Sequence, residues 1–259
     1  MAVTEQAFHP FPCLCRISGL RHYIVTGNRH GSLLMNVIVF ASRKGGSGKS
    51  TLAVHLAAHA SKRYRPCLLI DADVQGSMTL WHKLRGTGEP ALRNGTRGVS
   101  EIVKAAKQDG YEWVFIDTPP NMSPVVTDAI RCATLVIIPA RLAVFDLAAI
   151  KETIEVARQA HTPYAVVLNA APPRRDNTES PYVAEGREAI ARLNIPVWGG
   201  QITNRTTYAF ALASGEGAKE FDAQSQAAAE IGRLWLAIER SVKAIKGAYQ
   251  GAAMHRVAA

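Results

Sequence analysis

A chain of 259 residues, 47% hydrophobic and 20% charged, can bury one sizeable core, which excludes wholesale disorder, a collagen-like repeat and a multi-span membrane protein. Thirty Lys and Arg against 21 Asp and Glu leave a formal charge of +9, which favours a polyanionic partner such as nucleic acid or an anionic membrane surface. Cys13, Cys15, Cys67 and Cys132 form no CxxC pair, so neither a disulfide framework nor a thiolate zinc site is indicated and a reducing cytoplasm fits best.

Residues 1–34 lack helix or strand periodicity and any sustained apolar run that could be a signal-peptide core. They read as a disordered extension or an over-long gene start ahead of Met35. Arg16, Arg21 and Arg29 against the single Glu5 leave a transit peptide as the alternative. The segment is too short for a helix-turn-helix module with its own core, so operator-specific repression is not expected. Residues 35–259 are expected to form one domain.

From Met35 onward, short apolar β-branched runs alternate with helical patterns. That is the mark of a doubly wound, mainly parallel α/β sheet with helices on both faces. Strands are predicted at 37–41, 67–70, 113–116, 135–138 and 165–168, with a short one near Val197. Ser123 before Pro124 and Ser180 before Pro181 each place an N-cap hydroxyl ahead of a proline that loses nothing by lacking an N–H in the first turn. Asp146 is a further cap candidate. The stretches 85–98 and 172–178 read as surface connections. The most apolar long stretch, 132–150, is interrupted by Pro139, Arg141 and Asp146, so it predicts a strand and a capped helix rather than a membrane span.

The first strand runs directly into Arg43-Lys44-Gly45-Gly46-Ser47-Gly48-Lys49-Ser50-Thr51 and a helical pattern. Strand, glycine loop and helix are the context of a phosphate-binding loop. Glycines let backbone N–H groups turn inward around an anion, the helix N-terminus adds its dipole, and Lys49 supplies a point charge for the β and γ phosphates. Ser50 would place its hydroxyl on Mg²⁺. The general pattern wants glycine at position 43, which here is Arg43. A second strand ends in Asp71-Ala72-Asp73-Val74-Gln75-Gly76, and a third in Asp117-Thr118-Pro119-Pro120. Both deliver carboxylates to the edge where open α/β sheets bind ligands, and a dry strand closed by aspartate suits a hydrated metal. A fourth ends in Asn169, whose amide can offer donor and acceptor to an adenine edge or simply form a turn. Asp71 could equally cap the turn that follows it.

Lys44-Gly45-Gly46-Ser47-Gly48-Lys49-Ser50 resembles the deviant Walker A motif of the ParA/MinD ATPases, whose additional lysine is its signature. Asp71 to Ser77 is similar to that family's switch I, with Val74 where proline is usual, and Asp-Thr-Pro-Pro to its switch II. Residues 202–221, with Arg205, Tyr208 and Gly215, resemble the family's late segment, so the likeness runs from about 35 to 240. The resemblance implies a P-loop ATPase using ATP and Mg²⁺. Lys44 would reach the phosphates of the other subunit in a nucleotide-sandwich homodimer. Asp73 would organise the attacking water, Asp117 would serve the metal, Asp71 would support it through water, and Asn169 would face the base.

Two destinations follow within that family. ParA-like members bind DNA without sequence preference as ATP dimers and, stimulated by a ParB-like partner, move plasmids, chromosomes or protein cargo. MinD-like members bind membrane through a C-terminal amphipathic helix. Here Leu234, Trp235, Ile238, Val242, Ile245 and Tyr249 recur at helical spacing, with Arg233, Arg240, Lys243 and Lys246 beside them, which suits either polyanion or a core helix with a solvated face. The chain's end carries no further long apolar run, which favours DNA over membrane. Candidate phosphate contacts are Arg240, Lys243 and Lys246, with Arg174 and Arg175 as a second cluster. The expected location is the cytoplasm, on the nucleoid in the ATP state. The nitrogenase iron protein shares the extra lysine, but its bridging cysteines have no counterpart between Asp73 and Arg131. A catalytically inactive nucleotide-binding adaptor is the remaining alternative.

Overall fold

The computed structural model describes residues 35–62, 65–141, 146–176 and 178–257. The expectation for residues 1–34 lies outside them. Six strands, β1 (Asn36–Phe40), β2 (Cys67–Asp71), β3 (Ala91–Asn94), β4 (Trp113–Asp117), β5 (Leu135–Ala140) and β6 (Tyr164–Leu168), form one sheet in the order β3-β2-β4-β1-β5-β6. All five pairings are parallel. β1, β2, β4 and β5 are buried throughout. Their near-continuous apolar runs are those of a sheet covered on both faces.

Alternate side chains divide the core in two. Ile38, Phe40, Leu69, Phe115, Ile137 and Val167 face one helical layer. It comprises α1 (Lys49–Ala60), α2 (Ser77–Arg85), α7 (Thr206–Ala213), α8 (Ala218–Phe221) and α9 (Gln226–Val257). Val37, Val39, Ile70, Val114, Ile116 and Val136 face the other, made of α3 (Ser100–Gln108), α4 (Pro124–Cys132), α5 (Asp146–Gln159) and α6 (Pro181–Arg192). The apolar stripe expected on the last helix belongs to the first layer except at Tyr249, which is exposed. Leu234, Trp235, Ile238, Val242 and Ile245 are buried, and the Trp235 ring meets Trp113 edge-on at 4.5 Å.

The structure corrects three local expectations. The 85–98 connection contains a strand: Ala91-Leu92-Arg93-Asn94 pairs in parallel with β2. It carries no β-branched residue, so it is an edge strand by virtue of its partner rather than its propensity. Near Val197 there is only a bridge to Val166, because Gly199 and Gly200 interrupt the run and Arg187 takes the carbonyls of Trp198 and Gly200. Ser180 caps α6 by accepting from the Val183 N–H, whereas Ser123 makes no side-chain cap bond. The Ser123 hydroxyl is buried without a partner among the described residues. Its φ is −111° against −62° at Ser180, and only its carbonyl bonds the helix, accepting from Thr127 N–H. Asp146 is the first residue of α5, and its side chain lies outside the description. No helix among the described residues is long and apolar enough to cross a membrane.

His55, on the buried side of α1, accepts a hydrogen bond from the Ala218 N–H at 3.1 Å through Nδ1 and so anchors α8. Burial pushes its pKa down from 6.5 to about 4. His59, one turn on, is lowered as well, first by burial and then by Lys219 and Lys62. Between pH 6.5 and 4 the unfolded chain binds the His55 proton and the folded chain does not. The contribution of the neutral ring is therefore complete above pH 6.5 and is lost as the pH falls. Urea unfolding at pH 7.5 and pH 5 should differ by about 2 kcal/mol from this group, and His55→Gln should shrink the difference.

Candidate functional site

The carboxyl ends of β2, β4 and β1 lie side by side, so the loops that leave them converge on one edge. The loop after β1 turns through Gly46 and Gly48 at φ +69° and +101°, a region costly for any residue with a Cβ. A Cβ on Gly48 would also come within 2.0 Å of Asn169 Nδ2. That close approach reflects a bond, since Asn169 Nδ2 donates to the Ser47 carbonyl at 2.7 Å. Asn169, expected to face the base, thus also holds the loop against β6. α1 starts at Lys49 with no side-chain cap and no acidic residue in its first turn. An uncapped, unopposed helix N-terminus within a glycine loop is suited to an anion.

Lys49 is buried, and its Nζ donates to the carbonyls of Ser42 at 3.2 Å and Lys44 at 3.3 Å. Burial lowers its pKa, against the attraction of Asp117 and Asp73. Asp117, on the adjacent strand, is fully buried, and neither carboxylate oxygen has a hydrogen-bond partner among the described residues. Burial drives its pKa up to about 7, and the nearby Ser50 side chain pulls it back only in part. Thr118 ties this strand end to the root of the loop by donating to the Phe40 carbonyl at 2.8 Å.

The Asp71 carboxylate is held by donors of the protein itself. Its Oδ2 accepts from the Thr79 N–H at 2.9 Å and the Thr79 hydroxyl at 2.7 Å, and Oδ1 accepts from the Asp73 N–H at 3.3 Å. It caps the first turn of α2, because a buried carboxylate collects whatever donors are in reach. Asp73 is half-buried, and its Oδ1 accepts from the Gln75 N–H at 3.0 Å.

Lys44, Gly45, Gly46, Ser47, Gly48, Lys49, Ser50, Thr51, Asp73, Asp117 and Asn169 thus share one sheet edge. The expected phosphate contacts lie elsewhere. Arg240 and Lys243 are exposed on α9, while Lys246 is half-buried and burial lowers its pKa. Arg174 pairs with Glu179 at 2.8 Å, which also holds Arg187, and Arg175 is bridged through its backbone to Thr178. Of that second cluster, Arg174 is already matched by an acid.

Thr79 and Glu230 were not foreseen. Glu230 is buried on α9 and accepts from the Thr203 N–H at 3.0 Å, the Tyr208 hydroxyl at 2.9 Å and both Nε and Nη2 of Arg205. An acid among Ala227, Ile231 and Leu234 on the apolar stripe was the available signal, since a carboxylate there requires partners.

A phosphate loop between a central strand and a helix, with acidic strand ends beside it, defines a P-loop nucleotide-binding protein. The family model for the CobQ/CobB/MinD/ParA nucleotide binding domain matches residues 38–218, and the chain belongs to that family. Maintenance of carboxysome distribution protein A from Gloeobacter kilaueensis is 33% identical over 141 residues, covering 53% of this chain and 64% of that protein. The chain thus spans just under two thirds of that relative. The protein of the same name from Halothiobacillus neapolitanus is 28% identical over 204 residues, covering 74% of this chain and 91% of that one. Among solved structures, Cyanothece apo McdA superposes with a TM-score of 0.64 at 17% identity, covering 80% of this chain and 99% of that one, a likeness of fold.

Gly48→Ala should lower nucleotide affinity by about tenfold or more through left-handed strain alone, read by titration with a fluorescent nucleotide. Adding Asn169→Ala should recover only the part that comes from the clash.

Proposed function

We propose that this chain is a ParA-like ATPase. ATP brings two copies together, the pair binds duplex DNA without sequence preference, and hydrolysis, stimulated by a ParB-like or other partner, releases it. Plasmid, chromosome or protein cargo is partitioned or positioned by that cycle. The observation that carries the reading is a glycine loop, containing Lys44, whose Lys49 is buried near the Asp117 carboxylate, and that carboxylate has no hydrogen-bond partner among the described residues.

Lys49 would bind the β and γ phosphates of its own nucleotide, leaving carbonyls that hold it only weakly for an ammonium group. Lys44 would serve the nucleotide of the second copy, so that neither site is complete alone. Asp73 would orient the attacking water. Two lysines and the first-turn N–H groups of α1 would stabilise charge that develops as the γ-phosphoryl departs. Mg²⁺ fits the edge: the Asp117 oxygens and the Ser50 hydroxyl are a hard-oxygen donor set. Among the described residues no cluster of three His, Cys, Asp or Glu could hold a metal, so the ion would arrive with the nucleotide and neutralise its phosphate oxygens.

The burial of Leu234, Trp235, Ile238, Val242 and Ile245 on α9 supports DNA over membrane, because most of the apolar side chains that would enter a bilayer are already in the core. Arg240 and Lys243 remain outward as phosphate contacts. The test compares unrelated DNA duplexes with anionic liposomes, under ATP or ADP, using the wild type and Asp73→Ala. ATP-dependent, salt-sensitive capture by DNA alone is the expected result. Capture by liposomes alone would move the protein to the MinD-like class, and binding indifferent to nucleotide would favour an inactive adaptor. Replacing both Arg240 and Lys243 by alanine should weaken DNA capture and reduce the logarithmic salt slope by about 2. Lys44→Ala should still bind ATP as a monomer but fail to pair, seen by light scattering.

A further inference from the structure

We propose that Thr79 is a positioning residue for hydrolysis: acting through Asp71, it fixes the turn at 72–76 that carries Asp73. The importance of Asp73 rests on the ATPase reading above, whereas the claim about the turn rests on geometry alone.

Asp71 ends β2 and is buried, so its carboxylate must find donors within the protein. It finds them at both ends of the excursion that leads into α2. The Asp73 N–H at the start bonds Oδ1, and the Thr79 N–H and hydroxyl at the far end bond Oδ2. One side chain therefore closes the turn like a clasp, and the Thr79 hydroxyl at 2.7 Å makes its shortest bond.

Ala72 at the root of the turn is held separately, being buried with its N–H donating to the Asp117 carbonyl at 3.0 Å; beyond it little else holds the turn. Val74 at its tip is 80% exposed, and Gln75 and Ser77 are exposed as well, so apolar burial does not fix it. Its internal bonds, Gln75 N–H to Asp73 Oδ1 and Gly76 N–H to the Asp73 carbonyl, both at 3.0 Å, radiate from Asp73 itself and cannot locate that residue relative to the sheet. Asp71 stands level with Asp117 on the neighbouring strand. Without the hydroxyl, Oδ2 keeps one donor, and the carboxylate gains by turning away from Asp117 toward water or other N–H groups. Its bond to the Asp73 N–H is lost in that movement. Asp73 then samples several positions while Lys49, the glycine loop and the helix N-terminus stay as they were.

The test uses the full chain with Thr79→Val, which keeps the volume and removes the hydroxyl, and Thr79→Ser, which keeps the hydroxyl. Without nucleotide, amide hydrogen exchange at 72–76 should rise ~10-fold in Thr79→Val, with α1 and the sheet protected as in the wild type and Thr79→Ser unchanged. With ATP, kcat of Thr79→Val should fall ~10-fold at unchanged nucleotide affinity, and Thr79→Ser should restore it. Unaltered exchange at 72–76 would overturn the proposal. So would a parallel loss of affinity and kcat, or exchange raised throughout the sheet, either of which would make Thr79 an ordinary fold residue. Absence of ATP turnover in the wild type would instead remove the ATPase reading, and the exchange result alone would then decide the claim about the turn.

Discussion

Among the described residues, Asp117 has both carboxylate oxygens buried without a hydrogen-bond partner, near the buried ammonium group of Lys49, which bonds the carbonyls of Ser42 and Lys44. Burying charge without neutralising it is costly. The parallel sheet makes it tolerable by setting Asp117 and Lys49 at the same edge, where each partly offsets the other's burial. Lys49 draws the carbonyls of Ser42 and Lys44 toward its ammonium group and so contributes to the shape of the glycine loop. Asn169 completes the closure from β6 by taking the Ser47 carbonyl. The result is a glycine loop wound beside the helix N-terminus, with a cationic and an acidic group at the same edge of the sheet.

The rest of the molecule keeps that edge in register. Two apolar layers clamp the sheet, and each is built from alternate residues of the same strands. α1 joins the site to the outer layer, since its first residue is Lys49 and its later turns carry His55 and His59 to α8 and α9. On the far side of β6, the Glu230 network draws Thr203, Arg205 and Tyr208 against the last helix. That network closes the edge of the sheet where β6 has only short bridges for neighbours.

Much of this was legible in the residues. Each buried parallel strand is a run of apolar side chains, so β1, β2, β4, β5 and β6 stand out, and the glycine-lysine loop is continuous in sequence. What was not legible depended on partners distant in the chain. Ala91 to Asn94 looks like a connection until β2 supplies its hydrogen bonds. Ser123 and Ser180 have the same sequence sign ahead of proline, yet a difference of some tens of degrees in φ leaves one hydroxyl bonded and the other without a partner among the described residues. Asp71 and Asp73 leave the same strand end two residues apart, yet Thr79 draws the first into a cap while the second stays within electrostatic reach of Lys49.

By itself the sequence determined the class of fold and the phosphate loop, because both are written in local patterns: period, glycine spacing and the residue that ends each strand. Tertiary structure decided how each polar side chain is used. It sent most of the apolar stripe of α9 into the core, gave the Asn169 amide to Ser47, and left the Asp117 carboxylate without a partner among the described residues. Those outcomes turn on which donors lie within about 3 Å, a distance set by packing between segments far apart in the chain.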